Sequence, residues 1–166
     1  MLVHVRLSQA DLFVLLIAGD HIRSSASQLA RWVRVLQINV LELAMIDQQW
    51  AQAFAKDWIA SWNAHDMDRI LSHYTDDFEI SSPLIVERLD VPEGKLKGKK
   101  AVCDYWQPSL KMSPPLQFEL IDVFVGIDAI TLYYHNVGRR MVAETLFINL
   151  LGKVTHGIAQ WSIVKI

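Results

Sequence analysis

Apolar residues recur at helical spacing from Ile46 to Trp62, so that they fall on one face of an α-helix. Trp50, Phe54, Trp58 and Trp62 follow one another at intervals of four residues along that face. Residues four apart on a helix are neighbours on its surface. We therefore predict a first long helix here, with an aromatic stripe that packs into the core.

A second, shorter helix is predicted from Asp66 to His73 or Tyr74. Asp66 is a residue type that caps helices, and it follows a break in the pattern at residues 63–65. Ile70 and Tyr74 continue the helical spacing. The polar residues 75–77 are then expected to end this helix.

The pattern changes to alternation from Phe78 to Ser82, which is typical of a strand with two different faces. Pro83 is expected to turn the chain. The polar segment 86–98 contains one proline and two glycines, and it is predicted to form a loop or an irregular hairpin.

One helix and four strands are predicted in the rest of the chain. The helix runs from Lys99 to Trp106 and ends before Pro108. The strands, separated by short turns that contain glycine, are predicted at residues 117–125, 129–136, 140–149 and 153–164. Helices first and consecutive antiparallel strands afterwards predict an α+β domain rather than a parallel α/β sheet.

The pattern of apolar and polar residues at 1–44 differs from that of the domain at 45–166. Leu12 to Ala18 is a short apolar run, which Ser8 could cap and Gly19 could end as a helix. A signal peptide is the alternative interpretation of this run. A second helical stretch is predicted from Leu29 to Ile46. We interpret residues 1–44 as an N-terminal helical extension, specific to a lineage or produced by the choice of start site.

Composition and charge exclude several classes of function. The net charge is −2, and the only basic cluster, at residues 95–100, follows Pro92 and Gly94 and is expected to be solvated, so nucleic-acid binding is not expected. Cys103 is the only cysteine, which rules out an intrachain disulfide and suits a reducing cytoplasm. No apolar run approaches the roughly 20 residues that a membrane span needs. At 166 residues the chain has the size of one domain.

An ordered series of segments resembles the SnoaL-like branch of the nuclear transport factor 2-like superfamily. The series is WNAHD, HYTDDFEI, a proline, GKKAVCDYW, PPLQFEL, TLYYHNVG, AETLFI and GKVTHGIAQW, and it covers about residues 45–166. The resemblance implies a cone: a strongly bent antiparallel sheet around a pocket, with three helices that close it. It also implies a homodimer through the outer sheet face. Family functions range from isomerases, cyclases and dehydratases to ligand-binding modules, so the fold does not decide the function.

A comparison with the functional residues of ketosteroid isomerase, the best understood relative, tests individual positions of this sequence. Its general base, an aspartate before the proline that ends the first strand, corresponds to Ser82, and a neutral hydroxyl cannot abstract a proton unaided. Its oxyanion-donating tyrosine corresponds to Trp58, whose indole donates a hydrogen bond but is no acid. Its protonated acid corresponds to Glu144. Two of three positions differ, which argues against steroid isomerisation.

Glu144 is the strongest catalytic candidate. It shares one face of its strand with Val142 and Leu146, so that face is expected to be buried. Burial raises the pKa of a carboxyl group, which suits an acid, a base or a hydrogen-bond donor to a carbonyl. The alternative is a structural carboxylate that is neutralised by Arg139 or Arg140, or that lies exposed on a bent edge.

His135 is the second candidate, because a paired histidine and glutamate could transfer protons at neutral pH. Its alternative is a position on the outer or dimer face. The histidines at 65, 73, 135 and 156 are dispersed, and no metal site is predicted. Asp76 and Asp77 resemble a catalytic pair but are expected to support a turn.

Aromatic side chains are expected to form the walls of the pocket. Six tryptophans exceed what packing usually requires, which favours a small apolar or aromatic ligand. The residues that we expect to contact it are Trp58, Trp62, Phe78, Ser82, Trp106 and Trp161.

Three hypotheses follow. The first is a small-molecule enzyme that needs no cofactor and acts by proton transfer, as an isomerase, cyclase or dehydratase on an apolar cyclic or carbonyl substrate. The second is a ligand-binding module without turnover. The third is a dimeric accessory domain, with residues 1–44 as an interaction arm.

Overall fold

Four helices and six strands make up the part of the chain that the computed structural model describes, residues 46–112 and 114–163. The helices are α1 (Gln48–Asn63), α2 (Met67–Ser72), α3 (Pro83–Leu89) and α4 (Lys99–Leu110). The strands are β1 (Tyr74–Ser81), β2 (Lys95–Lys97), β3 (Glu119–Val125), β4 (Ala129–His135), β5 (Met141–Ile148) and β6 (Val154–Trp161). The predicted extension at residues 1–44 lies outside the described residues.

The strands form one sheet in the order β2-β1-β6-β5-β4-β3. Neighbouring strands are antiparallel, with the exception of β1 and β6, which run parallel. Register shifts in the β1–β6, β3–β4 and β5–β6 pairs mark irregularities of the bulge type, which bend a sheet. The predicted α+β class with a bent sheet is confirmed.

The core lies between one face of this sheet and the helices. Alternate residues of β4 and β5 are buried there, among them Leu132 and Leu146, both fully inaccessible. From the helical side, α1 contributes Trp58 and Trp62 to the same cluster. The aromatic stripe predicted for the first helix is therefore the surface that covers the sheet.

Side-chain caps explain where three of the helices begin. The Asp47 carboxylate accepts a hydrogen bond from the Trp50 amide at 2.7 Å at the start of α1. Asp66 caps α2 through the Arg69 amide at 3.0 Å, as its position in the sequence predicts. Ser82 caps α3, with Pro83 in the first turn. The ring of proline fixes its backbone angle φ near the helical value, which favours proline in the first turn of a helix.

Strand β1 begins four residues earlier than the alternation indicates, at Tyr74 rather than Phe78. Tyr74 pairs with Val154 of β6, and the register then shifts before Glu79. The polar residues 75–77 lie within this irregular stretch of the strand. They do not end the preceding helix, because α2 already ends at Ser72.

Two further elements differ from the predictions. Pro83 begins helix α3 instead of a turn, and the segment 86–98 contains the end of that helix and the short strand β2 instead of only loop. The described part thus has one helix more than the three expected. Helix α4 continues past Pro108 to Leu110, because the Lys111 amide closes the last turn on the Pro108 carbonyl at 3.2 Å.

Within the described residues, no helix is long and apolar enough to cross a membrane.

Candidate functional site

Glu144 lies at the centre of the buried sheet face. It sits in β5 between Val142 and Leu146 on that face, opposite Leu132 of β4 and Ala159 of β6. All four of these neighbours are apolar and buried, and Glu144 itself is only 5% exposed. The burial expected from alternation is therefore present in the structure. The Glu144 carboxyl group is therefore removed from water and surrounded by apolar side chains.

Burial raises the pKa of Glu144 to about 7, and a hydrogen bond from Tyr134 opposes part of that rise. The Tyr134 hydroxyl donates to Oε2 at 3.4 Å. No ion pair of Glu144 occurs among residues 46–112 and 114–163, so neither Arg139 nor Arg140 neutralises it. Near neutral pH the group therefore populates both its protonated and its ionised form.

Three tyrosines interact electrostatically with this carboxyl group. Burial, and then the negative charge of Glu144, raises the pKa of Tyr74 and of Tyr134 well above the usual value for a phenol. The pKa of Tyr105 is also raised, chiefly by burial, and Glu144 contributes. All three stay neutral at physiological pH, so each brings an O–H group that can donate a hydrogen bond.

Ser82 joins the site through Tyr105. Its side chain is 7% exposed and caps α3 by accepting a hydrogen bond from the Leu84 amide at 3.2 Å. A side-chain hydrogen bond between Ser82 and Tyr105 opposes the rise in the tyrosine pKa. Ser82 is thus a structural cap whose hydroxyl also forms a hydrogen bond with Tyr105, and it has no group that could serve as a base.

Most of the predicted wall residues pack against one another in the buried cluster. Ring centroids lie 5.7 Å apart for Trp58 and Trp62, 5.0 Å for Trp62 and Trp106, and 5.8 Å for Phe78 and Trp106. Trp58 also approaches Tyr134 to 5.7 Å. The four wall residues and the tyrosine that contacts Glu144 are therefore one continuous aromatic surface.

Trp161 lies on the same sheet face as Glu144 but at the end of β6. Its register partner is Val142, and its ring is covered by the Arg140 guanidinium at 4.8 Å. Its indole nitrogen is buried and has no hydrogen-bond partner among the described residues, which is also true of Trp62. A ligand acceptor would satisfy either indole N–H.

His135 lies on the other face of the sheet. It follows Tyr134 by one residue in β4, and successive side chains in a strand point to opposite faces. Its Nδ1 is 3.6 Å from a carboxylate oxygen of Glu119 on the edge strand β3. The structure does not bring His135 and Glu144 together, so the predicted histidine–glutamate pair does not form.

The tyrosines are the residues that sequence reasoning missed. Alternation placed Tyr133 and His135 on one face, so Tyr134 had to share the buried face with Leu132, and that signal was available. Tyr74 was hidden because its spacing also fits the end of a helix. Tyr105 could be placed near Glu144 only with the tertiary arrangement of α4 and the sheet.

Two other features lie away from this cluster. A surface pocket of about 410 Å³ lies between α1 and β3 and contains no residue of the cluster. Asp76 is exposed and forms an ion pair with Lys99 at 2.9 Å, in line with a structural role. In the described segments, no group of three or more His, Cys, Asp or Glu side chains could hold a metal ion.

Comparisons with known proteins agree with this fold. The SnoaL-like domain model matches residues 55–157, more than half of the chain. A SnoaL-like protein of unknown function from Burkholderia thailandensis E264 is 41% identical, with a TM-score of 0.69, over 71% of this chain and 98% of that one. No functionally curated protein matches the chain.

Two more distant structures share the fold alone. A nuclear transport factor 2-like protein of unknown function from Cytophaga hutchinsonii ATCC 33406 is 12% identical, with a TM-score of 0.51, over 68% of this chain and 89% of that one. A cystatin-like fold protein of unknown function from Methylobium petroleophilum PM1 is 8% identical, with a TM-score of 0.58, over 74% and 82%. The family model and the 41% identical relative show that the chain belongs to the SnoaL-like family.

Proposed function

We propose that the protein is a cofactor-independent enzyme that moves a proton within a small apolar or aromatic cyclic carbonyl compound, as an isomerase, cyclase or dehydratase does. One observation supports this proposal above the others: Glu144 is buried in an apolar surrounding, lacks a cationic partner among the described residues and has a pKa raised to about 7. A carboxyl group that serves only packing gains nothing from such a position.

Glu144 acts as both base and acid in this proposal. Its ionised form removes a proton from the carbon next to the carbonyl group of the substrate, and the electron pair of the C–H bond moves into the carbonyl to form an enolate. The protonated carboxyl group then returns the proton at another carbon of the conjugated system. A pKa near the working pH serves both steps, because each form is abundant.

The surroundings of Glu144 favour such a substrate. The aromatic surface of Trp58, Trp62, Phe78 and Trp106 suits a flat ring. A Cβ atom added at Gly157 would lie 3.9 Å from Oε1 of Glu144 and 3.4 Å from Leu146, so the glycine keeps a methyl group out of contact with the carboxyl group. A tyrosine hydroxyl that does not already donate to Glu144, such as that of Tyr74, stabilises negative charge on the enolate oxygen.

Hydrogen–deuterium exchange at carbon tests the proposal. 2-Tetralone, an aromatic cyclic ketone with acidic hydrogens next to its carbonyl, is incubated with the protein in D₂O and followed by NMR. We expect the wild type to accelerate exchange, and Glu144→Gln to lose at least about 99% of that acceleration, as is typical of a lost acid–base group. Glu119→Gln, on the opposite sheet face beside His135, is the matched control and should behave as the wild type.

Two results would contradict the proposal. If Glu144→Gln exchanges deuterium as fast as the wild type, this residue is not the proton carrier. If the wild type binds the ketone without exchange, the protein is a ligand-binding module without turnover, which is the alternative function.

We further propose a homodimer through the outer sheet face, in the cytoplasm. Phe124 of β3 is an exposed apolar residue on this outer face, since its register partner Thr131 alternates with the buried Ile130 and Leu132. Cys103 has no disulfide partner in the described structure. Light scattering should give a mass twice the chain mass of 19.0 kDa. Phe124→Glu should halve it, and a monomeric wild type would contradict the dimer.

A further inference from the structure

The indole N–H of Trp58 is already committed within the protein. It donates to the hydroxyl oxygen of Tyr74 at 2.8 Å, and both residues are only 2% exposed. An indole has a single N–H proton. Trp58 therefore has no proton left for a ligand, although it occupies the position at which a related enzyme keeps its hydrogen-bond donor.

The same contact leaves the proton of Tyr74 available. The Tyr74 oxygen accepts from Trp58, and its own O–H group donates to no acceptor among the described residues. A buried hydroxyl proton without an acceptor is unfavourable, because it has lost its hydrogen bond to water. An oxygen atom of a bound ligand would remove that cost, so this donor favours a ligand with an acceptor at this point.

Tyr74 is also held at the right place in the cluster. Its ring lies 4.4 Å from Phe78 and 5.3 Å from Trp106, and Trp58 in turn lies 5.7 Å from Tyr134, which donates to Glu144. The Glu144 charge acts electrostatically on Tyr74. The tyrosine hydroxyl and the carboxyl group thus belong to one contiguous site.

We infer that Tyr74 donates the hydrogen bond to the substrate oxygen, and that Trp58 is a positioning residue that holds this hydroxyl in place. The inference rests on the proposed function, and it adds the chemical class of the ligand: a flat, ring-containing molecule with an oxygen acceptor that gains negative charge during the reaction. The pKa of Tyr74 lies far above neutrality, so its hydroxyl donates a hydrogen bond without losing the proton.

Two probe molecules separate this hydrogen bond from simple packing. 2-Naphthol carries an oxygen on a flat double ring, as an enolate does, and naphthalene is the same ring system without the oxygen. Dissociation constants of both are measured at pH 6 by fluorescence for the wild type, Tyr74→Phe, Trp58→Phe and the double variant. Tyr133→Phe is the matched control, because Tyr133 lies on the opposite face of the same sheet.

The ratio of naphthol affinity to naphthalene affinity is the decisive quantity. We expect Tyr74→Phe to lower this ratio about tenfold, as the loss of one hydrogen bond of about 1.4 kcal/mol would. Trp58→Phe should lower it by a smaller factor, about threefold, because the hydroxyl remains but is no longer held. The double variant should match Tyr74→Phe, since the indole acts only through the tyrosine. Tyr133→Phe should leave the ratio unchanged.

An unchanged ratio in Tyr74→Phe would overturn the inference, and so would a double variant whose losses simply add. If the wild type binds neither probe, the small-molecule site and this assignment both fail. A lowered ratio in a protein that exchanges no deuterium into 2-tetralone would support the donor assignment and contradict only the catalytic proposal.

Discussion

Tyr134 and Glu144 form a hydrogen-bonded pair across neighbouring strands, with 3.4 Å between the phenol oxygen and Oε2. The tyrosine is 4% exposed and the glutamate 5%. The hydrogen bond favours the ionised carboxylate and lowers the pKa of Glu144, whereas burial disfavours the ionised form and raises it. Burial is the larger of these two opposing effects.

Glu144→Gln should change how stability depends on pH. Between the ordinary pKa of 4.5 and the folded value of about 7, the unfolded chain has lost this proton while the folded chain keeps it. The Glu144 contribution therefore falls as pH rises through this window and is constant above it. At about 1.4 kcal/mol per pH unit, the glutamine variant should gain about 3 kcal/mol relative to the wild type across the window.

Urea unfolding of both proteins at pH 4.5 and pH 8 measures this difference. Glu119→Gln, whose site is exposed on the edge strand, is the control and should show no such gain. A stability difference between Glu144→Gln and the wild type that is the same at both pH values would contradict a raised pKa.

Tyr134→Phe should raise the pKa of Glu144 further above 7. The variant removes the hydroxyl that stabilises the carboxylate but leaves the ring and the burial in place. The pH at which proton exchange into 2-tetralone reaches half of its maximum should therefore move upward. Tyr133→Phe should leave this midpoint unchanged. A midpoint in Tyr134→Phe that is unchanged or lower than in the wild type would contradict the role of the hydroxyl.

Gly157→Ala should fold and yet bind ligand less well. The added methyl group would meet the Leu146 side chain at 3.4 Å, which is ordinary contact, while filling space 3.9 Å from Oε1 of Glu144. In a strand, alanine is about 0.5–1 kcal/mol more favourable than glycine, so thermal stability should hold or rise. The affinity for 2-naphthol should fall several-fold, and unchanged affinity would place the ligand elsewhere.

The sequence predicted the sheet and the buried face well, because alternation is a local signal. The positions of Val142, Glu144 and Leu146 on one face needed only the two-residue period of a strand. Helix α3 was missed because its signal is a cap followed by proline, Ser82-Pro83, and the same pair also fits a turn.

The site was less predictable, because its contacts join residues that are distant in the chain. Trp58 of α1 donates to Tyr74 of β1, with helix α2 between them in the chain, and Glu144 accepts from Tyr134 across a hairpin. His135 was favoured in the sequence because a histidine paired with a glutamate could transfer protons. A shift of one residue in a strand, however, moves a side chain to the opposite face. The catalytic role of Glu144 therefore stays a prediction, while the predicted contact between His135 and Glu144 does not form.

A direct titration shows whether the buried Glu144 carboxyl group changes its protonation near neutral pH. Carbon-13 NMR of protein with labelled glutamate side chains follows each carboxyl group, and the Glu144→Gln variant identifies the signal that belongs to Glu144. We predict a midpoint of about 7 for this signal. A midpoint near 4.5, the ordinary value for glutamate, would contradict both the raised pKa and the proposed acid–base role of Glu144.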